Sequence, residues 1–217
     1  MPICRLPNGK LLSFVHVPKC AGTAVGLWLD AAFGPLAFRN PRYLALPETD
    51  RWTRTSPQHI DRAAMELLFP ASFFDATLAL VRHPVNRLIS VFRFQREIEN
   101  TIPADTSFSE WIAGTRPETP WIFDNHARPM NDLVPDHATV FALEDGLSGF
   151  QQSIEALAGV ELPAIVPKNV MKEKLAHLGR PSQPVVPTDK DLDRIGALYA
   201  VDFERFGYSL KEWSPTK

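Results

Sequence analysis

Cysteine is nearly missing from this chain. Cys4 and Cys20 are the only two among 217 residues, too few for a disulfide framework, and with six scattered histidines they show no zinc spacing such as C-x2-C or H-E-x-x-H. Reduced thiols in a cytoplasmic setting are the expectation. Long hydrophobic runs are missing too: no stretch reaches the roughly 18 apolar residues of a membrane span. Met1 to Lys19 lacks the basic start, apolar run and small-residue cleavage site of a secretory signal, so the reading is a soluble protein that is not exported. Nor is either charge in excess. The 23 Lys and Arg against 25 Asp and Glu leave a net charge of -2, which argues against nucleic acid or a membrane surface as partner and makes any anion site a local one. Internal repeats and low-complexity segments are absent, and no G-x-x-x-x-G-K-[ST] sequence occurs.

What is present is ordinary for a globular chain, with 45% apolar and 22% charged residues, enough for one domain with a real core over residues 1–217. Proline, at 20 residues, is about twice its average share and implies ordered loops between short elements. Apolar runs at Leu11 to Val17, Ala76 to Val81 and Ala138 to Leu143 read as buried strands. Helices are expected from Thr23 to Ala32, His59 to Phe69, Val85 to about Glu99, Ser148 to Ala158, and Asp189 to Phe206. Ser107 and Glu110 form a capping box ahead of a further short helix. This alternation predicts an α/β fold, a parallel sheet flanked by helices.

Two loops carry chemistry. Pro18-Lys19-Cys20-Ala21-Gly22-Thr23 lies between a strand and a helix, where backbone N–H groups and the helix dipole favour an anion. Its small residues open the main chain to a phosphate or sulfate, Thr23 offers a hydroxyl and Lys19 a full charge. Arg82-His83-Pro84-Val85-Asn86-Arg87-Leu88-Ile89-Ser90 occupies the same position after the next strand. There Arg87 and Ser90 share a helix face opposite Leu88, Val91 and Phe92, and arginine supplies the forked hydrogen bonds that suit a phosphate. No acid occurs from Met1 to Leu29 or from Ala76 to Arg96. Two anion sites are implied.

At these residues the chain resembles the sulfotransferases that use 3′-phosphoadenosine 5′-phosphosulfate (PAPS), in particular their carbohydrate sulfotransferase-like branch. That branch carries motifs like H-I-P-K-T-A-G-T-S and R-D-P-x-x-R-x-x-S. Here they read His16 to Ala24 (HVPKCAGTA) and Arg82 to Ser90 (RHPVNRLIS), with Phe141 to Asp145 and Tyr199 to Tyr208 similar to a later strand and the closing helix. The resemblance implies a P-loop-like three-layer sandwich, PAPS as co-substrate with no metal, and a hydroxyl of a carbohydrate or other small molecule as acceptor. It implies that Lys19, Cys20, Ala21, Gly22, Thr23 and Ala24 wrap the 5′-phosphosulfate, and that Arg82, Arg87 and Ser90 lie at the 3′-phosphate. Lys19 then carries charge on the leaving oxygen, and His59 matches a family histidine that takes the acceptor's proton. Cys20, Ala24 and His83 depart from the usual threonine, serine and aspartate or asparagine.

Other residues stay open between chemistry and packing. His16 is read either as orienting the donor or as a hydrogen-bonded structural residue, and His126 with Arg128 either as acceptor contacts or as a solvated loop. Trp28 and Trp111 are read as core, and Lys168-Asn169 as a reach toward the nucleotide. The alternatives to a sulfotransferase are a P-loop-type nucleotide-binding protein or kinase, which the lysine position opposes, and a non-catalytic relative that binds nucleotide only.

Overall fold

The computed structural model describes residues 1–115, 119, 121–166, 175–177, 179 and 183–214. Four strands form one sheet in the order β1-β2-β3-β4: β1 (Ile3–Arg5), β2 (Leu11–Val15), β3 (Ala76–Val81) and β4 (Thr139–Ala142). Registers Leu12 with Ala76 and Leu78 with Thr139 make β2, β3 and β4 parallel, whereas β1 runs antiparallel to β2 through Ile3 and Ser13. The three strands expected from their apolar runs form, and β3 has its expected bounds. β1 was not expected; three residues are too few to display a period of two. The five consecutive buried residues Thr77 to Val81 need both faces of the sheet covered.

The helices are α1 (Gly22–Phe33), α2 (Arg62–Leu68), α3 (Pro84–Phe94), α4 (Phe108–Gly114), α5 (Ser148–Ala158), α6 (Asp189–Leu198) and α7 (Ala200–Phe206). Local chemistry explains most of their ends. Pro84 opens α3 where a missing N–H costs nothing, Ser107 and Glu110 close a reciprocal capping box on α4, and Gly159 ends α5 in the left-handed conformation. One apolar cluster joins the sheet to Val25, Leu29, Phe150 and Ile154, and a second packs Val85, Leu88, Val91 and Phe92 of α3 against Trp111, Ile195 and Tyr199.

Two helices differ from the sequence reading. The helix expected from His59 begins only at Arg62, because Asp61 caps it by accepting the Ala64 N–H at 2.9 Å; His59 lies in the preceding 3-10 turn Pro57–His59. The long helix expected from Asp189 to Phe206 breaks at Tyr199. There the phenol donates to the Ala127 carbonyl at 2.6 Å, and buried Asp202 turns to accept the N–H groups of Met130 and Asn131 at 2.9 and 2.8 Å. Among the described residues no helix is long and apolar enough to cross a membrane.

Candidate functional site

The parallel strands deliver the loops after β2, β3 and β4 to one edge of the sheet, where open α/β sheets hold their ligands. After β2, Lys19 and Ala21 take positive φ (68° and 60°) while the intervening Cys20 does not. Alternation of this kind turns successive N–H groups into a concave nest for an anion. The nest runs into α1, whose N-cap Ala21 has no side-chain cap and whose first turn has no acid; the Val25 N–H is bonded to Ala21, which leaves the N–H groups of Gly22, Thr23 and Ala24 at the open helix end.

Gly22 has a further role that the sequence reading missed. A Cβ built on it would lie 2.0 Å from Cδ2 and Nε2 of His16, so the absent side chain makes room for an imidazole. Cys20 turns its side chain inward. Its Sγ is 3.8 Å from the Pro18 carbonyl and burial pushes its thiol up to about 12, so this residue offers the loop only its backbone. Ala24 is buried as well, while Thr23 is exposed.

Arg82 leaves the end of β3 and reaches back to the Lys19 carbonyl at 3.5 Å, bringing the second loop against the first. The main-chain N–H of His83 donates to Glu144 at 2.9 Å, and Tyr208 donates to the other oxygen of that carboxylate at 2.9 Å, so Glu144 after β4 fixes the turn. Arg87 does not sit on an open face as its spacing implied. It is fully buried, and its guanidinium donates to the carbonyls of His126 (3.0 Å) and Arg128. Ser90, one turn along α3, is half-buried.

Lys19 holds its ammonium 3.6 Å from the centre of the Phe94 ring, and Phe94 in turn touches His126. From there three imidazoles follow in contact: His126 lies 5.2 Å from His59, and His59 lies 4.6 Å from His16 between ring centres. His59 Nδ1 is 2.7 Å from Oδ2 of Asp124 and 3.2 Å from Ser56 Oγ. Asp124 is a residue the sequence reading missed, 65 positions away. Hydrogen bonds from His59 and Ser56 outweigh its burial and hold its carboxyl below the ordinary carboxylate value.

The carboxylate comes from an unusual stretch of backbone. Phe123, Asp124 and Asn125 all take positive φ (55°, 58° and 62°) without a glycine among them. Asp and Asn tolerate that conformation, whereas a bulky residue such as Phe123 costs about 1–2 kcal/mol there.

Burial holds the imidazoles of His16 and His126 well below the ordinary histidine value, His59 adding to the effect in both and Lys19 and Arg87 in His126. Both rings are therefore neutral at pH 7. The sign follows from linkage: below the ordinary value the unfolded chain binds the proton and the folded chain does not. The stabilisation is present above that value and is lost as pH falls beneath it. For His126 alone we expect a loss of up to about 1.4 kcal/mol per pH unit. Melting measured from about pH 7 to about pH 5 checks this, and a His126→Gln variant with an equally steep decline would refute it.

His59, Asp124 and His126 also bring ligand atoms within 4.8 Å of one another, a spacing that a metal ion could share. Trp28 and Trp111 serve packing, donating to the Pro163 carbonyl and to Gln95 at 2.7 and 2.8 Å. Arg128 pairs with Asp61 at 2.8 Å. A separate cavity of about 380 Å³ between Ile102, Trp111, Phe123 and Tyr199 shares the 123–129 wall, but neither Lys19, His59 nor Arg82 lines it. Lys168-Asn169 lies outside the described residues.

Chemically, the edge joins a nest for an oxyanion, an ammonium, a guanidinium and an imidazole with a carboxylate behind it. A family model described as the sulfotransferase family matches residues 8–209. No curated protein and no solved structure matches the chain.

Proposed function

Since the chain belongs to the sulfotransferase family, matched over nearly its whole length, we propose that it moves a sulfuryl group from PAPS to a hydroxyl of a carbohydrate or another small acceptor. The observation that carries this reading is the juxtaposition of the Lys19–Ala21 nest, opening onto the uncapped end of α1, with His59 on its carboxylate. A nest fits a doubly charged phosphosulfate better than a neutral ligand.

In this reading the loop from Lys19 to Ala24 holds the 5′-phosphosulfate, Ala24 through its N–H only, while the Cys20 N–H donates to the Val17 carbonyl at 3.3 Å and shapes the turn. Arg82 and Ser90 meet the 3′-phosphate, and Arg87 acts at one remove by holding the carbonyls of residues 126 and 128. When bound, PAPS supplies the sulfuryl group, which the acceptor oxygen takes as the bond to the phosphate oxygen opens. Lys19 and the helix end stabilise negative charge on that phosphate oxygen. His59 takes the acceptor's proton at Nε2, the ring nitrogen left over once Nδ1 faces Asp124. The departures at Cys20 and Ala24 fall on the packed side of the loop, so they do not remove an anion contact that the backbone makes.

The test is donor binding. Lys19→Ala and Arg82→Ala are each expected to weaken 3′-phosphoadenosine 5′-phosphate (PAP) by about 1.5–3 kcal/mol, the worth of hydrogen bonds to charged groups. Calorimetry giving native affinity in the Arg82 variant would remove the 3′-phosphate site. Labelled PAPS and ATP offered in parallel, with and without a chelator, separate this reading from a kinase. Transfer that needs magnesium and ATP would overturn it, and binding of PAP without transfer to any acceptor in a panel of methyl glycosides and phenols would favour the non-catalytic relative.

A further inference from the structure

The run Phe123-Asp124-Asn125 is tied to the His59 turn at four points. The Ser56 N–H donates to Asp124 Oδ1 at 2.5 Å, Ser56 Oγ donates to Oδ2 at 2.6 Å, His59 Nδ1 meets Oδ2 at 2.7 Å, and Asn125 Nδ2 donates to the His59 carbonyl at 2.7 Å. Asn125 is fully buried. Three consecutive non-glycine residues in the left-handed region persist only where surrounding contacts over-determine them, and such strain gathers at functional sites. Here the contacts that hold the strain are those that grip His59.

We propose that Asp124 is a positioning residue for His59. It fixes the imidazole with its proton on Nδ1 and its lone pair on Nε2, and it faces the positive charge that appears when Nε2 takes a proton. A carboxylate behind an imidazole does both by accepting a single hydrogen bond. This rests on the reading of His59 as the base.

The other groups around that ring do not replace it. His16 and His126 are the two neighbouring imidazoles, both kept neutral by burial, and Lys19 lies beyond His126. Arg87 and Arg128 flank the cluster through the His126 carbonyl and Asn125 Oδ1, and the amine of Met1, donated to the Pro57 carbonyl, is held well below its ordinary value by burial. Asp124 is therefore the one carboxylate hydrogen-bonded to this cluster among the described residues.

Proton resonances of the histidine rings, with His59 identified by its loss in His59→Gln, provide a test that needs no acceptor. In Asp124→Asn the low-field Nδ1 proton resonance of His59 is expected to be lost, because an amide in place of the carboxylate no longer holds the proton on that nitrogen. PAP affinity should stay native, and Asp124→Glu should recover part of the signal. With labelled PAPS and the panel of glycosides and phenols, turnover of Asp124→Asn should fall about 10- to 100-fold, the usual worth of a carboxylate that orients a functional histidine. An unchanged Nδ1 proton resonance in Asp124→Asn overturns the assignment. Should the asparagine variant not fold, the native chain decides: a low-field Nδ1 proton on His59 is required, and its absence overturns the assignment equally. If His59→Gln is inactive while Asp124→Asn keeps native turnover, only the role of Asp124 fails. If His59→Gln itself keeps native turnover, the base assignment beneath it has failed.

Discussion

Replacing His59 with alanine is expected to lower turnover roughly 100-fold or more while leaving affinity for PAP nearly unchanged, the range seen when a general base is lost. The separation follows from geometry. In the proposed reading the nest and Arg82 meet the donor's anions without the imidazole, and Nε2 is the nitrogen of His59 left to meet a hydroxyl once Nδ1 is held by Asp124. Turnover of the native chain should fall on acidification, since only a neutral ring accepts a proton. Transfer from labelled PAPS, read beside calorimetry with PAP, checks both halves. Near-native turnover in the variant would sink the assignment, and the acids of the neighbouring turn would be poor heirs. Asp61 caps α2 and pairs with Arg128 at 2.8 Å, and Glu66 sits at the surface opposite Arg62.

Gly22→Ala is expected to be the most damaging small substitution in the loop. Its Cβ would meet the His16 ring at 2.0 Å, far inside contact distance, and the ring has no easy retreat: Phe14 stacks on it at 5.9 Å and His59 abuts it at 4.6 Å between centres. Overpacking of this kind costs about 1–3 kcal/mol, and at this chain length each kcal/mol lowers the melting temperature by about 2–4 °C. Turnover should suffer more than stability, because the displaced ring pushes on His59. The double variant Gly22→Ala with His16→Ala should regain melting temperature by removing the obstacle. Native melting and native turnover in the single variant would mean that His16 does not rest on Gly22.

Much of the scaffold was legible because its causes are local. The apolar run Ala76 to Val81, Pro84 at the first position of α3, the Ser107–Glu110 box and Gly159 after α5 each act within a few residues. The misses have distant causes. Tyr199 ends α6 because Ala127 and the N–H groups of residues 130 and 131 require partners there, which no pattern within residues 189–206 announces. Arg87 has the spacing of an exposed residue, yet two carbonyls some 40 positions on make its burial tolerable.

The site divides in the same way. Strand ends and charge single out Lys19 and Arg82, and family resemblance singles out His59. Asp124 reaches its place through three positive φ angles in residues that give no glycine signal, and the nest itself rests on Lys19 and Ala21 where glycine would be the usual clue. The segment Phe123 to His126, reading F-D-N-H, held the hint, since Asp and Asn are the residues that best tolerate that backbone.

The inward turn of Cys20, together with the burial of Cys4, has a practical side. Burial pushes both thiols up to about 12, so neither offers a thiolate to an alkylating reagent while the chain is folded. The labelling rate of the native chain is then a clock for opening of the core at Cys4 and of the nest loop at Cys20. A reporter that reads the nest while it stays closed has to be introduced at exposed Thr23, with Cys4 and Cys20 left in place as silent residents.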